Sequence, residues 1–187
     1  LLNKLSYFCK PKIIKMSGSF TIPVSSLKEG LYCFDFEIGN GFFEQYEESE
    51  IKEGKLKATV KAEKRSSLTD VSVAIEGVVN IMCDRCLGVL SYPVNCENRL
   101  VIKSGRIHDE SDPDVIVLLP EEHEFDLNHY FYEYICLSLP IQKIHPDDEN
   151  GNSTCDPDML KKIQEHTLTD ENESDPRWDE LKNLVKN

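Results

Sequence analysis

The sequence predicts an α+β fold, an antiparallel β-sheet followed by short helices and an acidic C-terminal tail. Three observations predict it. Residues 55–65 and 70–82 alternate apolar and polar side chains with period two, as strands with one buried face do. The links between such runs are short, which joins neighbours antiparallel. After Asp126 the apolar period becomes helical and the charge turns acidic: residues 1–106 carry 15 Lys+Arg against 13 Asp+Glu, and residues 107–187 carry 6 against 21.

Each element follows in chain order. Residues 20–24 and 31–38 read as short strands. In the second, Tyr32, Phe34, Phe36 and Ile38 form the buried face, with Leu31, Cys33 and Asp35 opposite. Gly39-Asn40-Gly41 is a turn signal. Leu56, Ala58, Val60 and Ala62 point inward from 55–65, and Lys55, Lys57, Thr59, Lys61 and Glu63 point outward. A hairpin loop, Ser66–Asp70, leads into 70–82, whose inner face is Val71, Val73, Ile75, Gly77, Val79 and Ile81. Residues 89–103 are extended, with a break near Pro93, and 114–119 add another strand. Asp126 caps a helix over 127–138, with Leu127, Tyr130, Phe131 and Tyr134 on one stripe, and the helix stops before Pro140. Residues 145–156 form a polar loop, after which Asp156 caps a helix from Pro157 to about Glu165. A charged linker precedes a final short helix, 176–185, with Trp178, Leu181, Leu184 and Val185 on one side.

At 187 residues the chain is expected to be one domain over 16–165. Residues 1–15 read as a non-structural N-terminal extension, with Met16 as the expected start, and 166–187 as an acidic linker and C-terminal helix. No apolar run approaches the roughly 18 residues of a membrane helix. A net charge of −13 argues against coating nucleic acid, which is held by Lys and Arg. The cysteines number seven, and residues 1–15 hold no sustained apolar secretory core. A reducing, cytoplasmic setting is therefore expected, with the thiols as core residues or metal ligands rather than disulfides.

The sharpest chemical signal is Cys83-Asp84-Arg85-Cys86, two thiols spaced to clasp one ion from a tight turn. Zinc takes four ligands, and the polar loop offers His145 and Cys155. Together these four would make a closed Cys3His structural zinc site. The alternatives are two strand-end thiols, or a redox pair that would want a βαβ setting. Catalytic motifs are missing: there is no Gly-x-Ser-x-Gly, phosphate loop or His-Glu-x-x-His, so no catalytic residue and no small-molecule substrate is assigned. His108, His123, His129 and His166 read as solvated, and Asp147, Asp148 and Glu149 as an acidic surface loop. Lys55, Lys57 and Lys61, with Lys64, Arg65, Arg85, Arg99, Lys103 and Arg106 as candidate neighbours, form either a phosphate-contacting sheet face or a solvated one.

Cys-Asp-Arg-Cys-Leu at 83–87, His-Pro-Asp-Asp-Glu-Asn-Gly-Asn-Ser-Thr-Cys-Asp-Pro at 145–157 and Asp-Pro-Arg-Trp-Asp-Glu-Leu-Lys at 175–182 occur in order. With Thr21-Ile22-Pro23, Leu27–Gly30 and Leu137–Pro140, they resemble the YceD family of large ribosomal RNA subunit accumulation proteins, most closely members from the Bacteroidota, over residues 19–187. The resemblance implies a non-enzymatic role in accumulation, processing or stability of large-subunit ribosomal RNA. The family's thiol pair falls on Cys83 and Cys86, and its later His/Cys pair on His145 and Cys155. Expected partners are a large-subunit ribosomal protein, held by the acidic half, or ribosomal RNA, met by the basic strand face. Acids such as Asp147, Asp148, Glu149, Asp170, Glu171 and Glu173, with Trp178 and Leu181 as apolar anchor, are the expected protein contacts. A zinc-binding RNA-processing hydrolase is the alternative, and it needs an acid/base pair that the sequence does not offer.

Overall fold

The computed structural model describes residues 12–15, 19–105 and 115–167. In chain order the elements are β1 (Lys12–Lys15), β2 (Thr21–Ile22), a 3-10 turn (Val24–Ser26), β3 (Gly30–Ile38), α1 (Asn40–Phe43), β4 (Glu53–Lys64), β5 (Leu68–Met82), β6 (Val89–Ser104), β7 (Val115–Leu118), β8 (Phe125–Asp126), α2 (Asn128–Leu137) and α3 (Pro157–His166). The fold is α+β, and its sheet is mainly antiparallel.

Contacts group the chain into two units. The first runs to Met82 and resumes over Val89–Lys143; the second is Cys83–Gly88 with the chain from Ile144 onward. The link between β5 and β6 thus groups with the later chain rather than with the strands that it joins. Alternation shows which face of a strand is buried, and it does not show which distant segment a loop prefers.

The first unit is built on a six-stranded sheet in the order β1-β3-β4-β5-β6-β7. The central pairs are antiparallel hairpins: Phe34 faces Val60, Val60 faces Val73, and Val73 faces Asn98. The expected inner faces are the buried ones, from Phe34, Phe36 and Ile38 through Leu56, Ala58, Val60 and Ala62 to Val71, Val73, Ile75, Val79 and Ile81. Phe131 and Ile135 of α2 are fully buried. Phe131 meets Phe36 edge to face at 5.5 Å and Phe20 at 5.8 Å, so an aromatic cluster locks the helix to β3.

Several boundaries differ from the sequence reading, each for a physical reason. β1 and β7 lie parallel to β3 and β6, pairings that no local turn announces. β1 thus places an edge strand inside the expected N-terminal extension, whose residues 1–11 lie outside the described residues. The β4–β5 loop is shorter than expected, because β5 begins at Leu68 rather than at 70. β6 runs unbroken through Pro93. β7 pairs only with Val101–Ser104, so among the described residues β6 is an edge at Pro93, where a missing N–H is tolerated. Asp126 does not cap α2 as its terminal residue: it sits in β8, paired with Thr21, and its carboxylate accepts from the Asn128 amide at 2.8 Å. The buried stripe of α2 is Leu127, Phe131 and Ile135, with Tyr130 and Tyr134 only half-buried. α3 begins at Pro157 as expected, and the Asp156 carboxylate accepts from the amides of Asp158 and Met159. The expected acidic tail and final helix fall outside the described residues.

Gly77 is required where it stands. Its φ is +151°, and a Cβ there would lie 2.3 Å from the Lys55 carbonyl oxygen and 2.6 Å from the Leu56 Cα. The close approach of β4 and β5 at this point admits only hydrogen.

Candidate metal centre

The second unit brings Cys83, Cys86, His145 and Cys155 together, all four of the ligands expected from the sequence, with every ligand atom within 4.8 Å of the others. Two short segments hold them. In the first, the Cys83 amide donates to the Gly88 carbonyl at 2.9 Å and the Leu87 amide donates back to the Cys83 carbonyl at 2.9 Å, closing a tight knuckle. Leu87 takes φ +59°, a left-handed conformation that an L side chain resists.

In the second segment, Asp147 bridges Ser153 as the stub of a hairpin. The Asp148 carboxylate accepts from the amides of Asn150 and Asn152, at 2.9 and 2.7 Å, and thereby fixes the turn around Gly151. Thr154 donates its hydroxyl to the Pro146 carbonyl at 2.6 Å. The two ends of the loop, His145 and Cys155, are thus clamped side by side. Arg85 ties the segments together by donating to the Ser153 hydroxyl at 3.3 Å, and that hydroxyl also accepts from the Cys155 amide. Sequence reasoning gave the polar loop but not these supporting roles, although Asn150-Gly151 is a hairpin-turn signal that could have shown how the loop closes.

The spacings test whether a metal fits. A tetrahedral ion with bonds of about 2.3 Å to sulfur and about 2.0–2.1 Å to nitrogen has edges of about 3.8 Å between sulfurs and about 3.6 Å between sulfur and nitrogen. Cys83 Sγ lies 3.8 Å from Cys155 Sγ, Cys86 Sγ lies 3.5 Å from His145 Nδ1, and Cys155 Sγ lies 3.8 Å from the same nitrogen. These three spacings match edges of a tetrahedron with three sulfurs and one nitrogen, and the four ligand atoms together could hold one ion.

The electrostatics point the same way. Burial opposes ionisation of Cys83, but the backbone amides of Cys86, Arg85 and His145 outweigh it and bring the thiol down to about 6. The amides of Asp156 and Gly88 lower Cys86 as well. Ser153 favours the Cys155 thiolate, yet burial and the adjoining sulfurs of Cys83 and Cys86 prevail, and its pKa is raised. Backbone amides thus favour the thiolate at Cys83 and Cys86, while Cys155 is opposed by its neighbouring sulfurs.

The other expected contacts are placed differently. Lys57 pairs with Asp35 at 3.3 Å, Arg65 with Glu63 at 3.1 Å, and Arg99 with Asp70. In register, Glu37, Lys57 and Glu76 lie side by side, as do Glu63 and Asp70. The outward sheet face is therefore of mixed charge rather than basic, and Arg85 belongs to the knuckle. His123, His129 and His166 are exposed, as are Asp147, Asp148 and Glu149. Arg106, His108, Asp170, Glu171, Glu173, Trp178 and Leu181 lie outside the described residues. Among the described residues no helix is long and apolar enough to cross a membrane.

Fold and site together define a small α+β protein with a closed Cys3His cluster that could bind a metal ion. The chain belongs to the YceD family: the family model described as large ribosomal RNA subunit accumulation protein YceD matches residues 71–185, which span both halves of the cluster. The family's name carries a role in accumulation of large-subunit ribosomal RNA. No match is found among curated proteins or among solved structures.

Proposed function

We propose that this chain is a non-enzymatic, cytoplasmic accessory factor in large-subunit assembly, which supports ribosomal RNA by holding a basic large-subunit ribosomal protein. Zinc at Cys83, Cys86, His145 and Cys155 has a structural part in this reading. The four protein ligands leave no open position for a water or substrate, whereas catalytic zinc keeps one. When bound, the ion supplies a cross-link and charge neutralisation; the chain's own residues do the recognition.

One observation carries the choice of a protein partner over RNA. Every described acid between 115 and 167 is exposed, including Glu121, Glu122, Glu133, Asp147, Asp158 and Glu165, and only Lys143, Lys161 and Lys162 are interspersed. The lysine-bearing sheet face has its own acids beside its cations. Such a surface repels phosphates and attracts basic proteins, and complementary charge raises the rate and selectivity of association.

The test is affinity capture from growing cells at low salt, with RNA and protein both read in the eluate. A basic large-subunit protein, lost as salt rises, supports the reading. Ribosomal RNA captured without protein, and unaffected by reversing Asp147, Asp148 and Glu149 to Lys, overturns it. Cleavage of precursor RNA by the purified, metal-loaded protein would establish the hydrolase alternative instead.

A further inference from the structure

Within the first unit, a cleft of about 330 Å³ opens between the loop after α1 and the chain that follows α2. Its floor is apolar: Ile51, fully buried, with Leu139, Pro140 and the half-buried Tyr132 and Cys136. At its rim stands Ile141, 99% exposed, an aliphatic side chain held in water with nothing packed over it. Scattered exposed aliphatics are ordinary, but this one borders a concave apolar floor, the arrangement that marks interaction surfaces.

The rim also has a sign. Glu48 and Glu50 line it, with Glu44 and Glu47 just before them in the same exposed loop. The one cation of the lining, Lys143, is engaged by Glu50. α2 ends nearby without a basic residue in its last turn, so its carbonyl end adds negative potential. An anionic ligand such as an RNA phosphate is disfavoured here, and a cationic one is drawn in.

We propose that this cleft docks a short basic polypeptide segment, setting one aliphatic or aromatic side chain against Ile51, Leu139 and Ile141 while a neighbouring Lys or Arg meets Glu48. The inference deepens the proposed function, because it rests on a basic protein partner and names where that partner would be gripped. Apolar contact supplies the anchor, and the acidic rim supplies orientation and speed of encounter. At 330 Å³ the cleft lies at the low end of the roughly 300–1,000 Å³ range of small-molecule sites, in keeping with a side chain rather than a cofactor as occupant.

The test uses the full chain and three probes: a synthetic peptide alternating Lys and Leu, one of equal charge alternating Lys and Gly, and the proteins stripped from purified large ribosomal subunits. Ile141→Ser and Glu48→Lys change exposed side chains, and unchanged melting temperatures check that both variants fold. The Lys/Leu peptide should bind the parent chain in a salt-dependent way. Each substitution should weaken it about tenfold, the order expected for losing one buried aliphatic contact or reversing one close charge. Equal binding of the Lys/Gly peptide, unchanged affinity in both variants, or a cleft closed by a second copy of the chain in sedimentation would overturn the proposal. The stripped proteins separate the two claims. Capture by the parent and equally by both variants overturns the cleft and leaves the proposed function standing. No capture, with Lys/Leu binding lost in both variants, overturns the proposed function and leaves a basic-peptide site.

Discussion

Chelating the metal should unfold the second unit and spare the first. Among its described residues the buried side chains are Cys83, Cys86 and Cys155, and α3 buries none. The unit therefore has no apolar core of its own, and its order rests on the ligands, the knuckle hydrogen bonds and the Asp148 turn. Single hydrogen bonds contribute about 1 kcal/mol net. A structural zinc contributes about 10–16 kcal/mol at neutral pH, more than this handful of hydrogen bonds together. The first unit keeps Phe34, Phe36, Val60, Ile75 and Phe131 at 1% exposure or less, and needs no ion. Hydrogen exchange read by mass spectrometry, with and without a strong chelator, separates the two. Residues 83–88 and 144–167 should lose protection, while β4, β5 and α2 hold theirs. Cys83→Ser should give the same pattern without chelator, and elemental analysis should fall from about one zinc per chain. Acid should act likewise. Zinc is held by thiolates and an uncharged imidazole, so protons compete with it for Cys83, Cys86, Cys155 and His145, and the metal-dependent order is lost as pH falls. Metal-free protein that keeps full protection over 144–167 would refute the argument.

Three further outcomes follow from single sites. Gly77→Ala should destabilise the sheet by about 3 kcal/mol or more, seen as a lower melting temperature, because the added methyl meets the Lys55 carbonyl and the φ of +151° remains. Leu87→Gly should raise the stability of the metal-bound protein by about 1 kcal/mol, read as greater resistance to chelator, since the exposed leucine side chain is lost without leaving a cavity and the left-handed φ is relieved. Asp70 is held below the usual carboxylate range, chiefly by its hydrogen bond from Arg99. Its contribution is present above that range and lost as pH falls through the lowered value. In Arg99→Ala a carboxyl NMR titration should show Asp70 moving up towards an ordinary pKa.

Much of the sheet was legible because its strands bury one face. Val71, Val73, Ile75, Val79 and Ile81 declare their side by alternation alone, and the structure buries them. What alternation cannot show is partnership at a distance. The parallel additions of β1 and β7, and the two-residue pairing of β2 with β8, have no turn between partners to announce them. In α2 the aromatic residues misled: Tyr130 and Tyr134 look like core, but a tyrosine keeps its hydroxyl near water, and Ile135 takes the inner position. That Cys83, Cys86, His145 and Cys155 cluster was legible by chemistry: two thiols at C-x-x-C spacing, and an imidazole and a thiol in a polar loop with no apolar reason to be there. The mixed charge of the outward sheet face was hidden for the opposite reason. Its lysines are visible in one strand, whereas Glu76 and Asp70, which stand beside β4, come from the next.

The separation of the two halves of the metal cluster sets an order of events during synthesis. Cys86 is separated from His145 by 58 residues, so the first pair leaves the ribosome that much chain ahead of the second. At roughly 5–20 residues per second that interval lasts about 3–12 s. For that time the knuckle exists as a two-thiol half-site, able to hold an ion weakly or to meet an oxidant. The strands of β3, β4 and β5 are already complete, so the sheet has its core before the ion can be enclosed. A metal held by all four ligands would thus be captured at the close of folding rather than at its nucleus, and scarcity of that metal during growth would strand molecules with a finished sheet and an open knuckle.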